Sequence, residues 1–180
     1  MIIPSSSSKF IKFYKMKYLN QCNQFTKKFF LDIEMKAKSH GVDPELLFGI
    51  LTLEKLSRGN LLIRGLEIVG VYLFPFYLIK RDASIGLGQV KINTAKEVLI
   101  NLSDKEILKI LIYKSSNIET VSRLLKKYSH NVTNEEDVIK KVSDLYITGK
   151  EKPVPNYQTE VHYLLLKWSI KNKLFQKSSG

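Results

Sequence analysis

Three times in the second half of the chain, a serine or threonine is followed three positions later by a glutamate that opens an amphipathic run. Ser103-Asp104-Lys105-Glu106 precedes ILKILIY, Ser116-Asn117-Ile118-Glu119 precedes TVSRLLKKY, and Thr133-Asn134-Glu135-Glu136 precedes DVIKKVSDLY. In such a capping box the hydroxyl and the carboxylate satisfy backbone N–H groups that the first helical turn leaves without partners. The pattern predicts a succession of helices with short connections. Asp43 followed by Pro44 predicts a further helix start, with a run to about Arg58 before Gly59. Leu19, Cys22, Phe25, Phe29, Ile33 and Ala37 recur at helical spacing and predict a helix from about Tyr18 to Ser39, stopped by Gly41. A last helix is expected after Pro155-Asn156 and through Trp168.

The expectation is a mainly α chain with a single domain over residues 17–174. Any β structure is expected to be small and confined to about residues 68–92, where glycines and aromatics interrupt the helical pattern. Residues 1–16 read as a basic flexible segment and 175–180 as a tail. At 180 residues, with 44% hydrophobic and 26% charged residues, the chain has material for one packed core. One cysteine, Cys22, excludes an internal disulfide framework and a cysteine-built zinc site.

The formal net charge is +12, which draws the chain to polyanions: nucleic acid, an anionic membrane or an anionic cell wall. The charge sits at the ends. Residues 1–40 carry +6 and residues 167–180 carry +4, whereas everything between carries +2. A nucleic-acid reader weaves arginines and aromatics into its structured face, and this chain has four arginines. The reading is therefore against nucleic acid. The most apolar run, Leu61 to Ile79, contains Arg64, Glu67 and Pro75, so a core element is expected rather than a membrane span. The N-terminus lacks a continuous apolar stretch and a small-residue cleavage site, so no secretory signal is read there.

Common catalytic motifs are absent, and His40, His130 and His162 are scattered. Each histidine reads as a surface or core residue rather than a ligand. One acid is differently placed. Glu54 lies seven, four and three residues beyond Leu47, Ile50 and Leu51, on their apolar stripe near the C-terminal end of the second helix. Burial and the helix dipole both disfavour its charge and raise its pKa, as a general acid requires. The structural alternative is an ion pair with Arg58 at i+4. A second feature is Ser84-Ile85-Gly86-Leu87-Gly88-Gln89-Val90, where two glycines permit close approach of backbone to a ligand. Its alternative is a tight turn into the helix near Asn93.

Taken in order, these elements resemble the soluble lytic transglycosylase and goose-type lysozyme family. The likeness runs from Gly41-Val42-Asp43-Pro44-Glu45-Leu46-Leu47 and Glu54, through S-x-G-L-x-Q-V and Thr94-Ala95, to Asn117-Ile118. It continues in Leu145-Tyr146-Ile147-Thr148-Gly149, where the family carries a Y-N-x-G loop, and in Pro155 to Tyr163. It spans roughly residues 30–170. Lys55 stands where the family has serine, Ile147 where it has asparagine, and the stretch between Glu54 and Ser84 is longer.

The resemblance implies a lysozyme-like α-helical fold and cleavage of the β-1,4 glycan bond of peptidoglycan, with Glu54 as acid and base. It implies that Ser84, Gly86 and Gln89 line the cleft, with Tyr146 and either Tyr157 or Tyr163 near Glu54. A lysozyme-type hydrolase would need a second carboxylate to position water, for which Glu67 and Asp82 are the candidates. The longer segment is expected to wall the cleft with Arg64, Glu67, Tyr72, Phe74, Phe76 and Tyr77, unless Arg64 and Glu67 form a plain i,i+3 pair. No metal or organic cofactor is called for. The expected partner is the glycan strand, met by a monomer acting at the cell wall, periplasmic or extracellular. The rival class is a non-catalytic module that holds glycan or another partner, which Lys55 and Ile147 favour.

Overall fold

The computed structural model describes residues 6–57, 61–130, 132, 134–149 and 157–177. Side chains are described throughout these except at 6–11, 26, 61–64, 135, 136, 157 and 158. The described residues form helices α1 (Ser6–His40), α2 (Pro44–Ser57), α3 (Leu61–Leu73), α4 (Pro75–Lys80), α5 (Ile92–Lys96), α6 (Asp104–Ile112), α7 (Lys114–Ser129), α8 (Glu135–Thr148), α9 (Tyr157–Lys171) and α10 (Leu174–Lys177). Two short strands, β1 (Ser84–Ile85) and β2 (Val90–Lys91), pair antiparallel with Ser84 opposite Lys91 and Ile85 opposite Val90. The mainly α expectation with a small β element holds, and that element lies inside the expected window.

α2 is the centre of the fold. Glu45 through Leu53 are all buried, because α1, α7, α9 and α10 surround the helix. A helix apolar all round is a core helix rather than a surface one. Asp43 caps it as expected, its Oδ1 accepting the Glu45 N–H at 2.9 Å. At Gly49 the packing is close, since a Cβ there would stand 2.5 Å from the Leu166 side chain of α9.

α1 supplies the stripe Tyr18, Cys22, Phe25, Phe29, Ile33 and Ala37, all buried. Tyr18 replaces the expected Leu19, which is exposed. Tyr18 is held by its hydroxyl, which donates to Ser169 Oγ at 2.9 Å, and by an edge-to-face contact with Trp168. The helix ends in a Schellman motif: Gly41 adopts φ +62°, Val42 N–H reaches Ala37 O at 2.9 Å, and Gly41 N–H reaches Lys38 O at 3.2 Å.

Among the described residues, both terminal segments include positions packed on the core. α1 begins at Ser6, and within the segment read as flexible Tyr14 packs on the core and Lys15 lies 5.0 Å from the Trp168 ring. Phe175, assigned to the tail, is buried and stacks on Phe30 with ring centroids 4.6 Å apart. The backbone N–H groups of Phe175 and Gln176 donate to the Glu45 carboxylate at 3.0 and 3.1 Å, which fixes α10 against the start of α2.

The helix starts divide. Ser103 and Glu106 form the full capping box of α6. Ser116 does not cap α7, which begins two residues earlier after the single extended residue Tyr113. Glu119 is drawn instead to Lys36 and Arg123, at 2.7 and 2.6 Å. The box at Thr133 and the pairing of Glu54 with Arg58 fall outside the described residues. The expected loop at Leu145–Gly149 is the last turn of α8, closed by Gly149 at φ +70°.

Candidate active site

Glu54 is the first residue of α2 beyond the fully buried run, in the last turn of that helix. Its side chain retains 16% of its surface, and burial pushes its pKa up to about 7. α9 brings His162 against it, with Nε2 4.0 Å from Glu54 Oε1. His162 is itself buried, which lowers its pKa to about 4 and keeps the ring neutral at pH 7. Its Nδ1 lies 3.2 Å from Ser143 Oγ of α8. Its Nε2 makes no hydrogen bond among the described residues.

Tyr146, also on α8, is the second neighbour. Burial raises its pKa well above the ordinary phenol value, and the nearby Glu54 charge raises it further. The hydroxyl donates to Gly88 O in a short hydrogen bond. The same side chain ties the β1–β2 loop to α8.

That loop is suspended from Asn117, a fully buried residue of α7. Asn117 Oδ1 accepts the Gly88 N–H at 2.7 Å, while its Nδ2 donates to Ile85 O and Leu111 O at 3.2 and 2.9 Å. One side-chain amide thus links the turn to the end of α6 and to α7. Gly86 has φ +80°, and a Cβ there would come within 2.1 Å of both Asn117 Nδ2 and Leu111 O. Gly86 is therefore a packing requirement, and the space its missing side chain leaves is taken by protein. A Cβ at Gly88 would stand 2.7 Å from the Tyr146 hydroxyl and 2.4 Å from Val121.

Gln89 closes the turn, its Nε2 donating to Gly86 O at 2.9 Å and to Glu67 Oε1 of α3 at 3.2 Å. The loop and the first candidate second carboxylate are joined in this way. Asp82 is otherwise occupied: its Oδ1 accepts the Asn93 N–H at 2.8 Å and so orders the entry to α5. Ser84 pairs in the ladder opposite Lys91 and is half-buried.

On α9 the residue that meets Glu54 is His162. Tyr163, one position on and so rotated by about 100°, lies 5.8 Å from Lys140 Nζ and 6.0 Å from Lys167 Nζ at its ring. The side chains of Tyr157 and Arg64 lie outside the described residues. Of the aromatics expected to wall the cleft, Tyr72, Phe74, Phe76 and Tyr77 are all exposed.

His162 and Ser143 were missed by sequence reasoning. On α9 the buried neighbours of His162 at helical spacing are Thr159, Leu165, Leu166 and Ser169, a mixed stripe that gives no clear signal for it. Chemically, the arrangement offers a carboxyl able to carry or release a proton near neutral pH, beside a neutral imidazole and a phenol. Comparison of the chain with protein-family models, with curated proteins and with solved structures found no match.

Proposed function

We propose that the chain is a peptidoglycan-cleaving glycosidase, acting as a lytic transglycosylase on the MurNAc–GlcNAc β-1,4 bond with Glu54 as its acid and base. The observation that carries the reading is the Glu54 carboxyl: buried at the end of the core helix, with a pKa pushed up to about 7 and some surface left open. Near pH 7 such a group exists in comparable amounts as acid and as carboxylate, so one residue can serve both halves of a reaction. As the acid it protonates the leaving glycosidic oxygen. As the carboxylate it takes the proton of the muramoyl C6 hydroxyl, which attacks C1 and closes a 1,6-anhydro ring.

The single-carboxylate reading calls on neither of the two other acids, whose hydrogen bonds are structural. Asp82 holds a backbone N–H, and Glu67 holds the Gln89 amide. The Lys-rich ends, +6 and +4, provide attraction to an anionic wall. Mass spectrometry of the soluble fragments released from purified peptidoglycan tests the reading. Fragments with 1,6-anhydro ends are expected. Reducing muramoyl ends, with a large loss of activity in Glu67→Gln or Asp82→Asn, would assign a lysozyme-type hydrolase instead.

A further inference from the structure

Three polar side chains from three helices meet in succession at the end of the core helix: Ser143 of α8, His162 of α9 and Glu54 of α2. Ser143 Oγ lies 3.2 Å from His162 Nδ1, and His162 Nε2 lies 4.0 Å from Glu54 Oε1. Ser143 is fully buried, and its hydroxyl makes no second hydrogen bond among the described residues. A buried O–H without an acceptor is costly. The two neutral forms of the ring differ in how they meet that requirement. With the ring proton on Nδ1, the imidazole donates to Ser143 Oγ, and the donor left over is the Ser143 O–H, which has no acceptor. With the ring proton on Nε2, the Ser143 O–H donates to Nδ1, and the donor left over is the Nε2–H. That nitrogen stands 4.0 Å from a carboxyl oxygen. The surroundings therefore select the Nε2–H tautomer.

Serine, histidine and carboxylate in this order also make a nucleophilic triad. Burial excludes that use, since Ser143 has no exposed surface whereas Glu54 keeps 16% of its side chain open. The ring does not take the proton from Glu54 either. Burial holds His162 at about 4 and Glu54 at about 7, so the proton resides on the carboxyl. Burial is the cause of both shifts, and among the described residues no charged side chain of α1, α7, α8 or α10, the other helices packed on α2 or α9, contributes to either. Tyr146 of α8 stays a phenol, and its hydroxyl is spent on Gly88 O. The role left to the imidazole is that of a neutral donor.

We propose that His162 is a positioning residue for Glu54: as the Nε2–H tautomer set by Ser143, it donates to Oε1 and leaves Oε2 to exchange the proton with the glycan. The role rests on the glycosidase reading, whereas the tautomer and the contact need no glycan. In the acid half, Oε2 passes its proton to the leaving glycosidic oxygen while Oε1, as the carbonyl oxygen, accepts from Nε2. In the base half, Oε2 takes the proton of the C6 hydroxyl while Oε1 still accepts from Nε2. The ring keeps its own proton throughout. One donor thus holds the carboxyl in a single orientation across both steps, each of which depends on alignment. The 4.0 Å separation is about 1 Å beyond a hydrogen bond. Ionisation of Glu54 supplies the stronger acceptor that draws the donor in.

The test is NMR of the full chain without substrate, with 15N-labelled histidine to read the ring tautomers and 13C-labelled glutamate to follow the Glu54 carboxyl across the range of both pKa values. His162 is assigned among the three histidines by its loss in His162→Gln, and Glu54 by its loss in Glu54→Gln. Wild-type His162 is expected as the neutral Nε2–H tautomer at pH 7. His162→Leu removes the donor and should lower the acid constant of Glu54 by about tenfold or more. His162→Gln, whose amide N–H replaces the donor, should restore most of it. Ser143→Ala removes one buried oxygen and leaves the ring, and should weaken the acid in the same direction while mixing the tautomers. An Nδ1–H tautomer in the wild type, or the same Glu54 titration in wild type and His162→Leu, would overturn the proposal and leave His162 a packing residue. Should His162→Leu not fold, the wild-type tautomer and Ser143→Ala decide by the same criteria. In fragment release from peptidoglycan, kcat should fall about ten- to a hundredfold in His162→Leu with KM little changed, and His162→Gln should recover much of it. Equal kcat in wild type and His162→Leu would overturn the positioning role. The expected NMR results with no fragment release by the wild type would uphold the His162–Glu54 contact and overturn the glycosidase reading alone.

Discussion

The Nε2 atom of His162 faces Oε1 of Glu54 at 4.0 Å, joining two buried groups whose pKa values burial moves in opposite directions. Glu54 is pushed up to about 7 and His162 down to about 4. The pair is therefore neutral in the folded chain at mildly acidic pH. It acquires one negative charge as Glu54 ionises. The two shifts also act on stability with opposite sign.

Glu54 binds its proton more tightly folded than unfolded, so its stabilising effect is complete below about pH 4.5 and is lost as pH rises to about 7. His162 binds its proton less tightly folded, so its contribution is present above about pH 6.5 and is lost as pH falls to about 4. Glu54→Gln removes the first effect alone. Thermal melts should show the variant gaining on the wild type between pH 4.5 and pH 7, by at most on the order of 3 kcal/mol. A Tm difference independent of pH would show that Glu54 is not raised.

Gly86→Val should cost stability. The added atoms meet Asn117 and the Leu111 carbonyl at 2.1 Å, at a φ of +80° that a branched residue resists. Strain and overpacking together suggest roughly 2–5 kcal/mol. Asn117→Ala should cost about 2–4 kcal/mol by leaving the Gly88 N–H and two carbonyls without their partner. Chemical denaturation checks both. Unchanged stability in either would detach the loop from the core.

Removal of residues 175–180 should destabilise the chain by about 3–5 kcal/mol, through loss of a buried phenylalanine and exposure of a buried acid left without its donors. Phe175 packs on Phe30 and Phe48, and Glu45 loses the N–H groups of Phe175 and Gln176. Removal of residues 1–15 takes away Tyr14 and Lys15 but leaves Tyr18 in place, and should cost less. Calorimetry of the two truncated chains checks the order.

What the sequence revealed depended on the range of each interaction. Local signals were legible: the Asp43 cap, the Gly41 stop, the Ser103 box and the stripe that carries Glu54 all depend on neighbours within one or two turns. Long-range competition was not. Ser116 to Glu119 spells a capping box, yet Lys36, 83 residues earlier, holds that glutamate. Phe175 sits in a lysine-rich ending, and nothing local reveals its bond to a carboxylate 130 residues away. The same limit applies at the site. Tyr146 was reached through the family resemblance and Glu54 through its stripe, whereas His162 and Ser143 meet only when α8 and α9 are packed together.

The most direct measurement is the rate at which Glu54→Gln releases soluble fragments from purified peptidoglycan, set beside the wild type at pH 6 to 7 with circular dichroism on both. Glutamine keeps the shape of the side chain and removes its transferable proton. The account predicts a fall of about 100- to 10,000-fold with the helical spectrum unchanged. Wild-type turnover in Glu54→Gln, or no release of fragments by the wild-type chain itself, would contradict it.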